Sequence, residues 1–154
     1  MERVSYQEVP SEIFEKLRAL EIYLENTSID RQFLELLRLR ISQMNGCAYC
    51  VDMHSKELKH LGETDLRLNS LCVWQETPYF TKKERAVLYF AEKLTRITEE
   101  PLADHYYDSL PDFFSKEEIC NLTLAISQIN TWNRLMKVFR FTPGNYRVNQ
   151  YQVN

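Results

Sequence analysis

The scarcity of glycine is the sequence feature that most restricts the fold of this chain. Only three glycines occur among 154 residues, and Gly46, Gly62 and Gly144 each fall where a helix is expected to end. Chains that contain sheets use many more glycines in turns, because glycine accepts backbone angles that other residues avoid. No segment alternates apolar and polar residues over the length of a strand. The sequence therefore predicts an all-α fold.

The apolar residues are spaced as expected for a bundle of about six to seven helices. The predicted ranges are about 11–25, 31–44, 47–61, 64–73, 82–98, 102–109 and 116–138. Their expected N-terminal caps are Ser11, Asp30, Thr81 and Ser115. Residues 1–10 form an expected lead-in, and residues 143–154 are expected to be peripheral. From residue 145 the tail is expected to be either frayed or laid on a neighbouring subunit. The length fits a single domain over residues 1–154.

Composition and charge exclude several classes of protein. The net charge of −3 and the scattered basic residues argue against a protein that binds nucleic acid. No apolar run approaches the roughly 18 to 20 residues that cross a membrane. The first residues lack the apolar core of a signal peptide. We therefore expect a cytoplasmic protein with no membrane partner, in a compartment where cysteines are normally reduced.

The segment 45–54 carries the chemistry of the chain. It contains Cys47 and Cys50, spaced as C-x-x-C, and His54. In a helix these three side chains stand at i, i+3 and i+7, which places them on one face. A thiol becomes a nucleophile as its thiolate, which the positive end of a helix and a nearby imidazole both favour. The spacing also permits a disulfide, so the segment predicts either a redox dithiol or a metal site.

Two other interpretations compete with a redox dithiol. One is a pair of buried small hydrophobes with a surface histidine. The other is structural zinc, which normally takes four ligands, whereas Cys47, Cys50 and His54 supply three. The remaining thiols and imidazoles have no ligand spacing, and they belong to Cys72, Cys120, His60 and His105. We therefore predict no metal, and we expect the two isolated cysteines to lie in the core. A thioredoxin fold is not expected, because its C-x-x-C follows a strand.

Glu35 extends the motif to E-x11-C-x-x-C-x3-H. This pattern resembles the AhpD-like alkylhydroperoxidase family, within the carboxymuconolactone decarboxylase superfamily. The resemblance covers roughly residues 20–140, and residues 40–47 and 129–134 also have the character of that family. It implies an all-helical homo-oligomer, as a dimer, trimer or hexamer. The decarboxylase members lack the cysteine pair, so the resemblance does not imply their chemistry.

The resemblance also implies an enzyme and assigns roles to four residues. Cys50 would be the thiolate that attacks a hydroperoxide, and Cys47 the resolving thiol. His54 and Glu35 would relay the proton away from Cys50. No cofactor is implied, and the cycle needs a dithiol reductant or a redox partner protein. The alternative is a redox-sensing or adaptor module, in which the cysteine pair changes contacts with little turnover.

Three further residues bear on the expected activity. Tyr49 stands where the best-characterised members of the family carry histidine, directly before the second cysteine. Tyrosine does not accept a proton at neutral pH, so the relay is shortened and weaker peroxidase activity is expected. Trp132 and Asn133 are candidates for the pocket above the thiols, although ordinary packing of a bundle helix is the favoured interpretation of both.

Overall fold

The protein folds into helices throughout the part of the chain that the structure describes, residues 2–98 and 102–148 of a computed structural model. No strand occurs in these ranges, and the all-α prediction is confirmed. The α-helices are α1 (Ser11–Glu25), α2 (Arg31–Met44), α3 (Ala48–His60), α4 (Asp65–Ser70), α5 (Lys82–Thr95), α6 (Asp104–Asp108) and α7 (Lys116–Phe139). Two 3-10 helices cover Tyr6–Glu8 and Leu71–Glu76.

Helix α2 is the central element, since it packs against α3, α5 and α7. Leu34 and Ile41 face one apolar cluster with α5 and α7, whereas Leu36 faces a second cluster on the other side. A helix that is apolar around most of its circumference belongs in the middle of a bundle. As a result, two charged side chains of α2, Glu35 and Arg38, are also enclosed.

Three of the four predicted helix caps are present. Asp30 accepts a hydrogen bond from the backbone at the start of α2, and Thr81 and Ser115 open capping boxes on α5 and α7. The predicted cap of α1 is wrong. Pro10 occupies the cap position, and Ser11 is the first helical residue. Proline suits this position because it has no N–H that would need a partner.

Two helix ends differ from the prediction. The fourth helix was expected to reach Val73, but α4 ends at Ser70 and continues as a 3-10 helix. The cause is local, because Val73 has φ −124° and ψ 28°, outside the helical region. Helix α5 ends at Thr95 instead of about Thr98. Pro101, the expected terminator, lies outside the described residues.

The prediction that Cys72 and Cys120 lie in the core is wrong, because both are exposed. On α7 the buried residue is Ile119, and the next residue is rotated by about 100° around the helix axis, towards the surface. In the 3-10 helix, Leu71 and Trp74 face inward, and Cys72 lies on the outer side. An apolar neighbourhood in sequence was a poor guide to burial in both places.

The two ends of the described chain pack against the bundle. The backbone N–H of Arg3 donates to the carbonyl oxygen of Phe139 over 2.9 Å, which ties the lead-in to the end of α7. Tyr146 is only 5% exposed. The segment 143–148 is therefore not a frayed tail, and residues 149–154 lie outside the described residues. Across the ranges that the structure covers, no helix is both long and apolar enough to cross a membrane.

Candidate active site

The turn between α2 and α3 places the two thiols. Gly46 follows α2 with φ +61°, the left-handed conformation that glycine adopts readily. The chain then reverses, so that Cys47 becomes the N-cap of α3 and Cys50 lies in its first turn. The Cys47 sulfur accepts a long hydrogen bond of 3.4 Å from the backbone N–H of Cys50.

The two thiols are joined as a disulfide, with Cα atoms 5.3 Å apart. Both cysteines are buried, and Cys50 is 3% exposed. Of the two, Cys50 alone lines the neighbouring cavity. His54 follows Cys50 by four residues on α3 and lines the same cavity. The structure therefore brings Cys50 and His54 to one face of α3, with Cys47 behind them.

Glu35 of α2 bridges His54 and a buried arginine. One carboxylate oxygen, Oε2, lies 2.7 Å from His54 Nδ1, and the other, Oε1, accepts a hydrogen bond of 2.6 Å from Arg38. An ionised carboxylate only accepts hydrogen bonds, so Nδ1 carries the proton in this pair. The arrangement leaves His54 Nε2 as the ring nitrogen that accepts a proton from a reacting group.

The charge of Glu35 depends on these two partners. Burial alone would raise the pKa of the Glu35 carboxyl, but the charges and hydrogen bonds of His54 and Arg38 outweigh it and lower the pKa to about 2. For the Arg38 guanidinium, burial alone would lower the pKa. The negative charges of Glu21 and Glu35 outweigh burial and raise the pKa above its usual range. Glu35 is therefore a carboxylate at neutral pH despite being enclosed.

The chain of contacts continues beyond Arg38 to helices α1 and α7. Arg38 Nη2 lies 2.7 Å from Glu21 Oε2 of α1, in an ion pair whose angles are not those of a hydrogen bond. The indole N–H of Trp132 on α7 donates to Glu21 Oε1 over 2.9 Å. Side chains from four helices thus form one connected series that begins at Trp132 and ends at His54.

The cavity in front of Cys50 has a volume of about 250 Å³. Its wall includes a set of aromatic side chains, which are Tyr6, Phe14, Tyr49, Trp132, Phe141 and Tyr146. Tyr49 and Trp132 are both part of this wall. An aromatic wall beside a thiol favours a ligand with an apolar body.

Asn133 does not line the cavity but supports the turn that carries Cys47. Its amide oxygen accepts a hydrogen bond of 2.8 Å from Asn45, and its amide nitrogen donates to Ser42 over 3.1 Å. Lys137 donates to the carbonyl oxygen of Asn45 over 2.6 Å. Helix α7 thereby fixes the end of α2 from behind the disulfide.

Sequence reasoning missed most of the residues that line the cavity, among them Glu21, Arg38, Glu57 and Tyr146. Arg38 carried a usable signal, because it follows Glu35 by three residues within the same apolar run. Glu21 and Tyr146 reach the cavity from distant parts of the chain, and no local spacing reveals them. Within the described ranges, no three His, Cys, Asp or Glu side chains are grouped so as to hold a metal ion.

The chain belongs to the carboxymuconolactone decarboxylase family, whose model matches residues 11–93, from α1 to α5. The matched range contains the cysteine pair, Glu35 and His54. Together with the structural relatives described next, this match confirms the AhpD-like assignment.

Two curated relatives have no established function. The uncharacterized protein YdfG of Bacillus subtilis is 37% identical over 134 residues, which is 87% of this chain and 91% of YdfG. The uncharacterized protein YnjA of Escherichia coli is 29% identical over 107 residues, which is 69% of this chain and 58% of YnjA.

Solved structures have the same fold. A protein of unknown function from Agrobacterium tumefaciens, provisionally assigned to the antioxidant defence protein AhpD, is 39% identical with a TM-score of 0.90, and covers 95% of this chain and 100% of its own. An AhpD-core protein from Ralstonia eutropha has a TM-score of 0.77 at 20% identity, over 88% of this chain and 72% of its own. The debrominase Bmp8 has a TM-score of 0.75 at 16% identity, over 88% and 73%. These last two likenesses concern the fold alone.

Proposed function

We propose that this chain is a thiol-dependent redox enzyme that reduces hydroperoxides, or disulfides, through the Cys47–Cys50 pair. The observation that carries the proposal is the position of Cys50. Cys50 lines a cavity one helical turn from His54, which is hydrogen-bonded to an ionised, buried Glu35. This combination of nucleophile, base and orienting carboxylate is what activates a thiol.

The reaction begins with the reduced pair. The Cys50 thiol gives its proton to His54 Nε2, and the thiolate attacks the terminal oxygen of ROOH. The O–O bond breaks, an S–O bond forms, and the leaving alkoxide takes a proton to become ROH. Cys50 is then a sulfenic acid, oxidised by two electrons.

Cys47 closes the cycle. Its thiol attacks the sulfenic sulfur, a disulfide forms, and the hydroxyl leaves with the thiol proton as water. The structure holds the pair in this disulfide form. An external dithiol then donates two electrons and two protons, so that the sum is ROOH plus dithiol giving ROH, water and a disulfide.

Tyr49 sets the expected strength of this activity. Its ring packs edge-on against Phe141 with centroids 5.8 Å apart, at the cavity wall. A tyrosine hydroxyl can donate a hydrogen bond to the peroxide but does not take up the Cys50 proton at neutral pH. His54 is then the base on which the proposal relies, and slower turnover is expected than in relatives with a second histidine.

The test is consumption of cumene hydroperoxide with dithiothreitol as the reductant. We expect the native protein to consume it and Cys50→Ser to lose the activity. Without dithiothreitol, Cys47→Ser that has been reduced beforehand should form a sulfenic acid at Cys50 in a single turnover and then stop, as detected by mass spectrometry. Cys120→Ser is the matched control, since this exposed thiol lies outside the site. Undiminished consumption by Cys50→Ser would contradict the mechanism.

A redox-sensing module is the second candidate, and the tyrosine at position 49 is the observation that favours it. A sensor needs the dithiol to close but does not need fast proton transfer. The same assay separates the two functions. One equivalent of peroxide would remove two hydrogens from the mass of the protein in both cases, but a sensor would show no continuing turnover with dithiothreitol.

A further inference from the structure

The segment 141–148, here named the C-terminal strap, forms part of the wall around Cys50. Two of its side chains, Phe141 and Tyr146, line the cavity. Cys50 lines the same cavity yet is only 3% exposed. Access to its sulfur therefore depends on the residues that surround the cavity, and the strap is the part of that wall that belongs to no helix.

Tyr146 attaches the strap to the face of α3 that carries the site. Its hydroxyl donates a hydrogen bond to Glu57, which follows His54 by three residues and is itself buried. Arg31 of α2 lies 3.1 Å from the other carboxylate oxygen of Glu57. The mechanism proposed for Cys50 does not use Glu57, whose carboxylate instead binds Tyr146 and Arg31.

The backbone of the strap is attached to the same helix. Lys56 Nζ donates to the carbonyl oxygens of Gly144 and Tyr146 over 3.0 and 3.1 Å. Asp52 accepts a hydrogen bond of 3.0 Å from the backbone N–H of Gly144 and is also paired with Lys56. Gly144 has φ +96°, a bend that turns the chain back onto α3. These polar contacts thus all lead to α3.

The other end of the strap packs through Phe141, and the backbone N–H of Thr142 donates to Glu2 over 3.3 Å. Its ring contacts Tyr49 and Phe14 edge-on, with centroids 5.8 and 6.5 Å away, and meets Tyr6 at 6.3 Å. Phe141 packs against the apolar cluster that contains Cys47 and Cys50, and it belongs to neither of the clusters that pack α2 against α5 and α7. The strap could therefore lift from α3 while α1 to α7 keep their packing.

We propose that the C-terminal strap limits the size of the molecules that reach Cys50, with Tyr146 and Phe141 as the specificity-determining residues. The cavity of about 250 Å³ is small, since ligand sites usually enclose roughly 300–1,000 Å³. Small apolar hydroperoxides enter while Tyr146 is bonded to Glu57, and larger ones are excluded. The link to substrate choice rests on the proposed function, whereas thiol access can be measured without it.

The experiment compares two reagents with the same reactive group and different sizes. Reduced protein that carries Cys72→Ser and Cys120→Ser is treated with N-ethylmaleimide or with fluorescein maleimide, and labelling of Cys50 is followed by peptide mapping. The measured quantity is the rate of labelling by fluorescein maleimide divided by the rate of labelling by N-ethylmaleimide. Cys72 and Cys120 are the exposed thiols, so their removal leaves only Cys50 and Cys47 to be labelled.

Tyr146→Phe keeps the ring and removes the hydrogen bond to Glu57. Loss of one hydrogen bond to a charged group corresponds to about a tenfold change in an opening equilibrium, and we expect the ratio to rise by about that factor. Tyr146→Ala should raise it further because the ring is lost as well. Tyr107→Ala is the matched control, since Tyr107 is an exposed tyrosine on α6 that does not line the cavity.

An unchanged ratio in both Tyr146 variants would overturn the proposal. An equal acceleration of both reagents would overturn it too, because it would indicate general loosening instead of selection by size. Circular dichroism and the thermal midpoint show whether a variant has kept its fold. If the ratio rises but no variant consumes peroxide, the strap controls access and the proposed function is the part that fails.

Discussion

Arg38 decides whether the charges enclosed at the site are balanced. It is 2% exposed and lies between the carboxylates of Glu35 and Glu21. Replacement by methionine keeps most of the side-chain volume but leaves the buried carboxylate of Glu35 and the half-buried carboxylate of Glu21 without their shared cation. Breaking a buried ion pair from one side typically costs about 3–5 kcal/mol, and we expect Arg38→Met to lose stability in that range by urea unfolding.

The matched control for this variant is Lys59→Met. Lys59 pairs with Asp65 at the surface, where both side chains are more than half exposed. Exposed pairs contribute about 1 kcal/mol or less, so the control should differ little from the native protein. Equal losses in the two variants would mean that the arginine has no special role.

Glu35 should make stability depend on pH in the acid range. The pKa of its carboxyl falls from 4.5 to about 2 on folding, so it stabilises the folded state above pH 4.5, and this contribution is lost as the pH falls towards 2. The difference in unfolding free energy between native protein and Glu35→Gln should therefore shrink over that interval. Glu12→Gln, at an exposed position of α1, is the control. A difference that stayed constant with pH would contradict the assignment.

At the level of elements, α7 supports the turn that carries Cys47 through Asn133. Asn133→Ala removes the donor to the buried Ser42 hydroxyl and one of the two acceptors of the Asn45 amide, which costs roughly 1–3 kcal/mol. We expect that loss in urea unfolding, together with a changed reduction potential of the disulfide, because Cys47 is held less firmly. Thr131→Ala, on the exposed side of the same helix, should change neither quantity appreciably. An unchanged reduction potential would mean that the turn does not influence the redox properties of the disulfide.

Helices and their starts were predictable because the signals are local. The caps at Asp30, Thr81 and Ser115 lie within three residues of the groups that they bind. The shared face of Cys50 and His54 followed from the helical repeat, whereas Cys47 is the extended N-cap of α3 and does not line the cavity with them. Glu21 and Tyr146 were not predictable, because they reach the cavity through packing between segments far apart in the sequence. The predicted burial of Cys72 and Cys120 was wrong for a related reason, since apolar neighbours in the sequence do not specify which side of a helix is covered.

For the molecule as a whole, the disulfide should contribute little to the fold. It joins residues only three apart, and closing so short a loop stabilises by about 2 kcal/mol at most in the chain-entropy description. We expect Cys47→Ser/Cys50→Ser to keep the native circular dichroism spectrum and to lose no more than that in urea unfolding. An unfolded double variant would show that the disulfide is structural and would weaken the proposed catalytic cycle.

The resemblance to AhpD-like proteins also predicts assembly into a dimer, trimer or hexamer. Analytical ultracentrifugation should then give two, three or six times the chain mass of 18.4 kDa. Several apolar side chains are exposed on the described surface and would be available to an interface, among them Ile22, Leu66, Ile97 and Val138. A monomer at micromolar concentration would make this prediction wrong.

The position of Trp132 should make its fluorescence depend on the redox state of the cysteine pair. It packs in the same apolar cluster as Cys47 and Cys50, and its ring is stacked with Phe14 at 5.8 Å. A disulfide accepts an electron from an excited indole and quenches its light, whereas two thiols do so less. Trp74, the other tryptophan, lies in a separate cluster and supplies a constant background. The chain therefore carries an unlabelled fluorescent indicator of its own oxidation state, with emission expected to rise as the pair is reduced.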